Sequence, residues 1–122
     1  MGELFEMSLL KEIEPIKTKD FLQEKFREYY RSANIMLPPR FTAREWGFLN
    51  WGGGVMNRHV RFSTINEIKA YLEKTAPAHS YHSVAYYSDP GSKTMIEKKW
   101  QGADLIFDLD ADHLPEMEDV KK

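Results

Sequence analysis

The chain has 122 residues, 42% hydrophobic and 30% charged, with a formal net charge of −2. That is one domain, long enough to bury its own core, and too apolar for a disordered chain. It contains no cysteine, which excludes a disulfide scaffold, a cysteine zinc site, an iron–sulfur cluster and a thiol nucleophile.

Residues 1–18 read as an N-terminal extension or short helix that Pro15 stops. Acidic residues stand where a signal peptide carries basic ones, and no run reaches the roughly 20 apolar residues of a membrane span. A cytoplasmic protein without a membrane partner is therefore expected. The first strong helix spans 20–31, with Asp20 as N-cap and Gln23 three residues on. Leu22, Phe26, Tyr29 and Tyr30 fall at i, i+4, i+7 and i+8 and predict one apolar stripe.

Leu37-Pro38-Pro39-Arg40 ends that helix in extended chain. Residues 44–51 and 57–62 read as two strands joined by Gly52-Gly53-Gly54, a hairpin. The glycines precede neither a Gly-Lys-Ser/Thr nor a helix, so they predict a turn and not a phosphate loop. A second helix starts at a cap on Ser63 or Thr64, buries Ile65, Ile68 and Leu72, and stops at Pro77. Residues 80–87 predict a strand, Asp89-Pro90-Gly91-Ser92 a turn, and 100–110 the last strand, closed by Pro115. The order predicts an α+β (mixed α/β) fold with helices packed on a mixed sheet.

Charge is uneven: residues 17–74 hold eleven basic and six acidic residues, residues 100–122 two basic and seven acidic. Within the acidic end lies Ala103-Asp104-Leu105-Ile106-Phe107-Asp108-Leu109-Asp110. In a strand, Asp108 and Asp110 share a face, with Cα atoms roughly 6.5 Å apart. Aspartate is disfavoured in strands, and two such carboxylates repel. A hard divalent cation offsets the repulsion, because Mg²⁺ or Mn²⁺ takes one or two carboxylates together with substrate phosphates. Extending the pattern to Asp112 does not make an EF-hand: His113 and Asp119 stand where Gly and Glu belong. A haloacid-dehalogenase-type phosphatase also begins with Asp-x-Asp, but such a motif opens its domain and here it closes the chain.

Residues 100–114, through Asp108-Leu109-Asp110, resemble the catalytic strand of the small subunit of archaeal and eukaryotic DNA primase. Arg27-Glu28-Tyr29-Tyr30, Arg44-Glu45-Trp46-Gly47-Phe48, His59-Val60-Arg61-Phe62 and Ser83-Val84-Ala85-Tyr86-Tyr87 resemble that family's preceding segments, in order. The resemblance covers roughly 20–115 and implies that 19–115 is the N-terminal part of a primase catalytic core. Residues 116–122 are then a charged tail at the point where the family chain continues. It further implies primer synthesis by two-metal nucleotidyl transfer on a single-stranded DNA template from nucleoside triphosphates. Asp108 and Asp110 would hold Mg²⁺ or Mn²⁺, and Arg44, Glu45, His59 and Arg61 would meet nucleotide or phosphate. A primase large subunit, or a separate chain with the missing catalytic half, would be the partner. The family's zinc knuckle, phosphate-binding segment and third aspartate have no counterpart in these residues, so the chain is expected to be inactive alone. The competing expectation is a non-catalytic scaffold that docks on a primase partner.

Overall fold

The computed structural model describes the backbone of residues 2–110 and the side chains from residue 17 onward. The elements are α1 (Gly2–Ser32), β1 (Trp46–Leu49), β2 (Asn57–Val60), α2 (Ile65–Thr75), β3 (His79–His82), β4 (Ala85–Tyr87), α3 (Met95–Lys98) and β5 (Trp100–Ala103). A single 3₁₀ turn, Phe41–Ala43, precedes β1. The class is α+β, as expected, but among the described residues every strand pairing is antiparallel where a mixed sheet was expected. One sheet has the order β2-β1-β3, and β4 and β5 form a second. No helix among the described residues is long and apolar enough to cross a membrane.

Two expectations about the N-terminal region need correction. The helix does not stop at Pro15 and restart at Asp20; α1 is continuous. Proline forfeits one helical hydrogen bond, yet no glycine or cap follows it to turn the chain away, and good helix formers flank it. The apolar stripe is also narrower than its spacing suggests. Phe26 packs edge-on against Trp51 at 4.8 Å and Tyr30 joins the core, while Tyr29 stays exposed.

The second helix follows its sequence signals closely. Thr64 Oγ1 accepts from the Glu67 amide at 3.2 Å, and the Glu67 carboxylate accepts from the Ser63 amide at 2.8 Å. This reciprocal cap satisfies two donors at the helix start. Ile68 and Leu72 are buried, whereas Ile65 is not. The helix ends with Ala76 in the left-handed region, its N–H on the Leu72 carbonyl, followed by Pro77. The last carbonyls of a helix lack partners within it. Here Gln23 donates to Thr75 O at 3.3 Å, Arg27 Nε to Glu73 O at 3.1 Å and Trp51 Nε1 to Ala76 O at 2.9 Å. The C-terminal end of α2 is therefore tied to α1 and to the end of the hairpin.

The core lies between α1, α2 and the inner face of the three-stranded sheet. Trp46 and Phe48 alternate along β1 onto that face and meet Phe62, Ile68 and Leu72. Each such side chain contributes about 1.5–3 kcal/mol by leaving water. Gly47 and Leu49 consequently point to the outward face, where the functional residues gather.

The stretch 80–87 is not one strand. Ser83 splits it: its N–H donates to Glu45 O at 2.8 Å, while its Oγ accepts from Glu45 N at 3.0 Å and donates to Ala85 O at 2.8 Å. The side chain stands in for ladder bonds, so β3 stays with β1 and β4 leaves for the second sheet. The last strand is also shorter than the alternation suggested, ending at Ala103 instead of running to Asp110. Its partner β4 has three residues, and the final link is Asp104 N–H to Val84 O at 2.9 Å. Beyond that link no described strand offers a ladder, and Leu105, Phe107 and Leu109 are exposed.

Candidate functional site

Glu45 enters the sheet one residue before β1 and points to its outward face. Regular strands would send the neighbours Arg58 and His59 to opposite faces. In this hairpin Trp46 pairs with Val60 and Phe48 with Asn57, so two residues of β2 oppose Gly47. His59 absorbs the extra residue with a φ of 61°, in the left-handed region. Such a bulge re-aims side chains, and both residues reach the same carboxylate. Arg58 Nη2 and Nε lie 3.0 and 3.2 Å from Glu45 Oε2, and His59 Nδ1 is 3.3 Å from Oε1.

A third partner comes from far along the chain. Lys98, the last residue of α3, is only 1% exposed. Its Nζ lies 3.1 Å from Glu45 Oε1 and 2.7 Å from His59 Nδ1, and it also donates to the Ser92 carbonyl. Burial pushes the Glu45 carboxyl up, but hydrogen bonds and charge from Lys98 and Arg58 outweigh it, and its pKa lies below the ordinary 4.5. One carboxylate thus stands among a guanidinium, a lysine amine and an imidazole. A cleft of about 490 Å³ opens beside the cluster, over Gly47, Met56 and Tyr81.

Arg44 is placed differently from its expected role on phosphate. It too is 1% exposed, and it makes four hydrogen bonds inside the fold. Nε reaches Pro39 O at 3.0 Å and Nη1 reaches Ser83 O at 2.8 Å. Nη2 reaches the Tyr86 hydroxyl at 3.1 Å and Asp104 Oδ2 at 2.7 Å. Its guanidinium stacks 4.7 Å over the Tyr86 ring, with Arg40 at 5.0 Å. A planar fork with five donors suits such multiple anchoring. Arg44 therefore joins the β4–β5 pair to the first sheet, and its burial leaves it out of reach of an external phosphate. The Tyr86 hydroxyl donates to Asp104, which raises the tyrosine pKa. That bond first, and the Arg44 bond second, hold the Asp104 carboxyl below its ordinary range.

Of the other expected residues, Arg61 is exposed, crosses Gly91 and sits 3.4 Å from Asp89. Asp89 also accepts from Ser92 Oγ at 2.6 Å, and that bond, ahead of the Arg61 contact, lowers its pKa. Asp108 and Asp110 are exposed on the extended segment after Asp104, off any strand, so the shared-face argument does not describe them. Their oxygen donors suit a hard cation whose remaining positions are filled by water or phosphate. Among the described residues, no three acids or histidines converge as a metal-binding group. Asp112 and His113 lie outside the described residues.

The structure thus brings Glu45 and His59 together, sets Arg44 behind them as an anchor, and leaves Arg61 at the neighbouring turn. Sequence reasoning missed Arg58 and Lys98. Arg58 gains its place from a bulge with no compositional mark, and Lys98 sits in a run of charges that reads as surface. The one available signal was Thr94, whose Oγ1 accepts from the Glu97 amide at 3.2 Å and starts the short helix that delivers Lys98.

A carboxylate held among cations beside an open cleft defines a small α+β module suited to handling anionic ligands. Its relatives make the kind specific. The DNA primase small subunit PriS of Methanococcoides burtonii is 53% identical over 103 residues, covering 82% of this chain and 26% of the relative. That of Methanothrix thermoacetophila is 53% identical over 100 residues, 82% of this chain and 25% of the relative. That of Halobacterium salinarum is 46% identical over 102 residues, 81% and 26%. No family model matches the chain. The matched stretch is homologous to the DNA primase small subunit, and the chain spans about a quarter of the length of these curated relatives. A matched span of 100 residues in a chain of 122 must include 23–100, and hence the whole Glu45 cluster.

Proposed function

We propose that the chain is part of a primase catalytic subunit that makes short RNA primers on single-stranded DNA by two-metal nucleotidyl transfer. The observation that carries this reading is the 53% identity to a DNA primase small subunit across 82% of the chain. Asp108 and Asp110 are the residues that would hold Mg²⁺ or Mn²⁺. Such ions lower the pKa of an attacking hydroxyl and neutralise a triphosphate.

The chain's own residues supply the surroundings. Glu45 stays ionised across the neutral range, since Lys98 and Arg58 keep its pKa low. Arg58, with 57% of its side chain exposed, is the cation of the cluster that can reach a phosphate in the cleft. Arg61 adds positive charge beside it and His59 a ring nitrogen; Arg44 ties the β4–β5 pair to the first sheet. In this reading the isolated chain does not synthesise primers, because two aspartates are an incomplete ligand set for two metals. The remainder of a catalytic subunit and a large subunit are its partners. Exposed Leu105, Phe107 and Leu109 favour the docking role as a second, compatible reading, since an extended apolar segment is a template for strand pairing.

Mn²⁺ titration by NMR, with and without ATP, tests the reading. Broadening should centre on Asp108 and Asp110, deepen with ATP and vanish when both are changed to Asn. Identical broadening in wild type and double variant would overturn it.

A further inference from the structure

The outward face of the β2-β1-β3 sheet sets two features that the proposed chemistry leaves unused, an exposed aromatic ring and an apolar floor, beside Arg58, which that chemistry already places at the cleft. Tyr81 on β3 is 47% exposed, and its ring stacks on His79 with centroids 6.2 Å apart and an interplanar angle of 23°. Gly47, its direct partner on β1, carries no side chain, and the Met56 thioether lies over it as an apolar floor. On the far side of Gly47 stands Arg58, whose Nε and Nη2 hold Glu45 while Nη1 has no partner among the described residues.

Tyr81 and Arg58 are two strand spacings apart, about 10 Å. With the reach of the arginine, one nucleotide spans that gap, its base on the ring and its phosphate at the guanidinium. Glu45 does not repel the phosphate, because Lys98 and Arg58 together exceed its charge. Base stacking on an exposed aromatic ring with a nearby cation is the chemistry of sequence-tolerant single-strand binding. The cleft of about 490 Å³ has room for such a unit.

We propose that this sheet face is a platform for single-stranded DNA, with Tyr81 stacking on a base and Arg58 holding the adjacent phosphate. The choice of DNA rests on the primase reading, whereas the stacking geometry does not. Binding here is independent of divalent metal and of Asp108 and Asp110.

The test is fluorescence anisotropy of the chain with labelled oligo-dT and oligo-dA in EDTA, across a salt series. Both oligonucleotides should bind. Tyr81→Ala should weaken binding about tenfold and Tyr81→Phe should retain it, since the ring and not the hydroxyl stacks. Arg58→Gln should flatten the slope of log K against log salt by about 0.7, the loss of one single-strand phosphate contact. Two-dimensional NMR of each variant checks that it is folded. The proposal is overturned if the wild-type chain does not bind, or if folded Tyr81→Ala binds as tightly as wild type. It is also overturned if ATP competes as well as the strand at equal nucleotide concentration, which would make the cleft a mononucleotide pocket. Because the assay contains EDTA, failure of the Mn²⁺ test at Asp108 leaves its result unchanged.

Discussion

Glu45 and Asp108 are both carboxylates tied to the same expected chemistry, but the fold treats them in opposite ways. Glu45 is nearly buried and receives Arg58, Lys98 and His59 from three directions. Asp108 stands in water on a segment that has left its sheet. The first arrangement is paid for within the domain and exists before any ligand arrives. The second has no described strand to pair with and depends on what binds it.

The contrast can be broken most severely at Arg44. Arg44 is buried although its ionic partner Asp104 is partly exposed, so Arg44→Met should cost about 3 kcal/mol, chiefly by leaving the Pro39 and Ser83 carbonyls without a donor, read by urea denaturation. Arg44→Lys should rescue little, because one ammonium cannot reach Pro39 O, Ser83 O, Tyr86 and Asp104 together. A loss below about 1 kcal/mol would mean the anchor is dispensable.

Lys98→Met should cost less, on the order of 2–3 kcal/mol, because Arg58 still pairs with Glu45. It should also raise the Glu45 pKa, observable by NMR titration of the carboxyl. The sign follows from the lowered folded value. Ionised Glu45 stabilises the wild-type fold above its ordinary 4.5, and the contribution is lost as pH falls through the folded value. Asp104 behaves likewise from its ordinary 3.8. Acid unfolding should thus begin below about pH 4.5 in wild type and at higher pH in Lys98→Met; an unchanged midpoint would sink this account.

Asp108→Asn sits at the other end of the scale. An exposed carboxylate away from the core should change stability by no more than about 0.5 kcal/mol, while abolishing its share of Mn²⁺ broadening. A large stability change in that variant would show that the segment is part of the folded core after all.

The hairpin, the capped helix α2 and the turn at Asp89 were legible because each depends on neighbours a few residues apart: glycines with free φ, a Thr64–Glu67 cap, a proline stop. The kinship to primase small subunits was legible as well, from short motifs in order. Of the candidate site, the sequence pointed to Glu45 and His59 but not to what holds them. Spacing also misled where a strand needed a partner, at Ser83 and again after Asp104. Only tertiary structure turned Arg44 from an expected phosphate ligand into an anchor on Asp104, sixty residues away. It alone brought Lys98 to His59 across thirty-nine residues. Local pattern encodes capping, turns and faces, which are short-range; which charge meets which is decided by chain closure and by the shortage of partners in a dry interior, and neither is written in spacing.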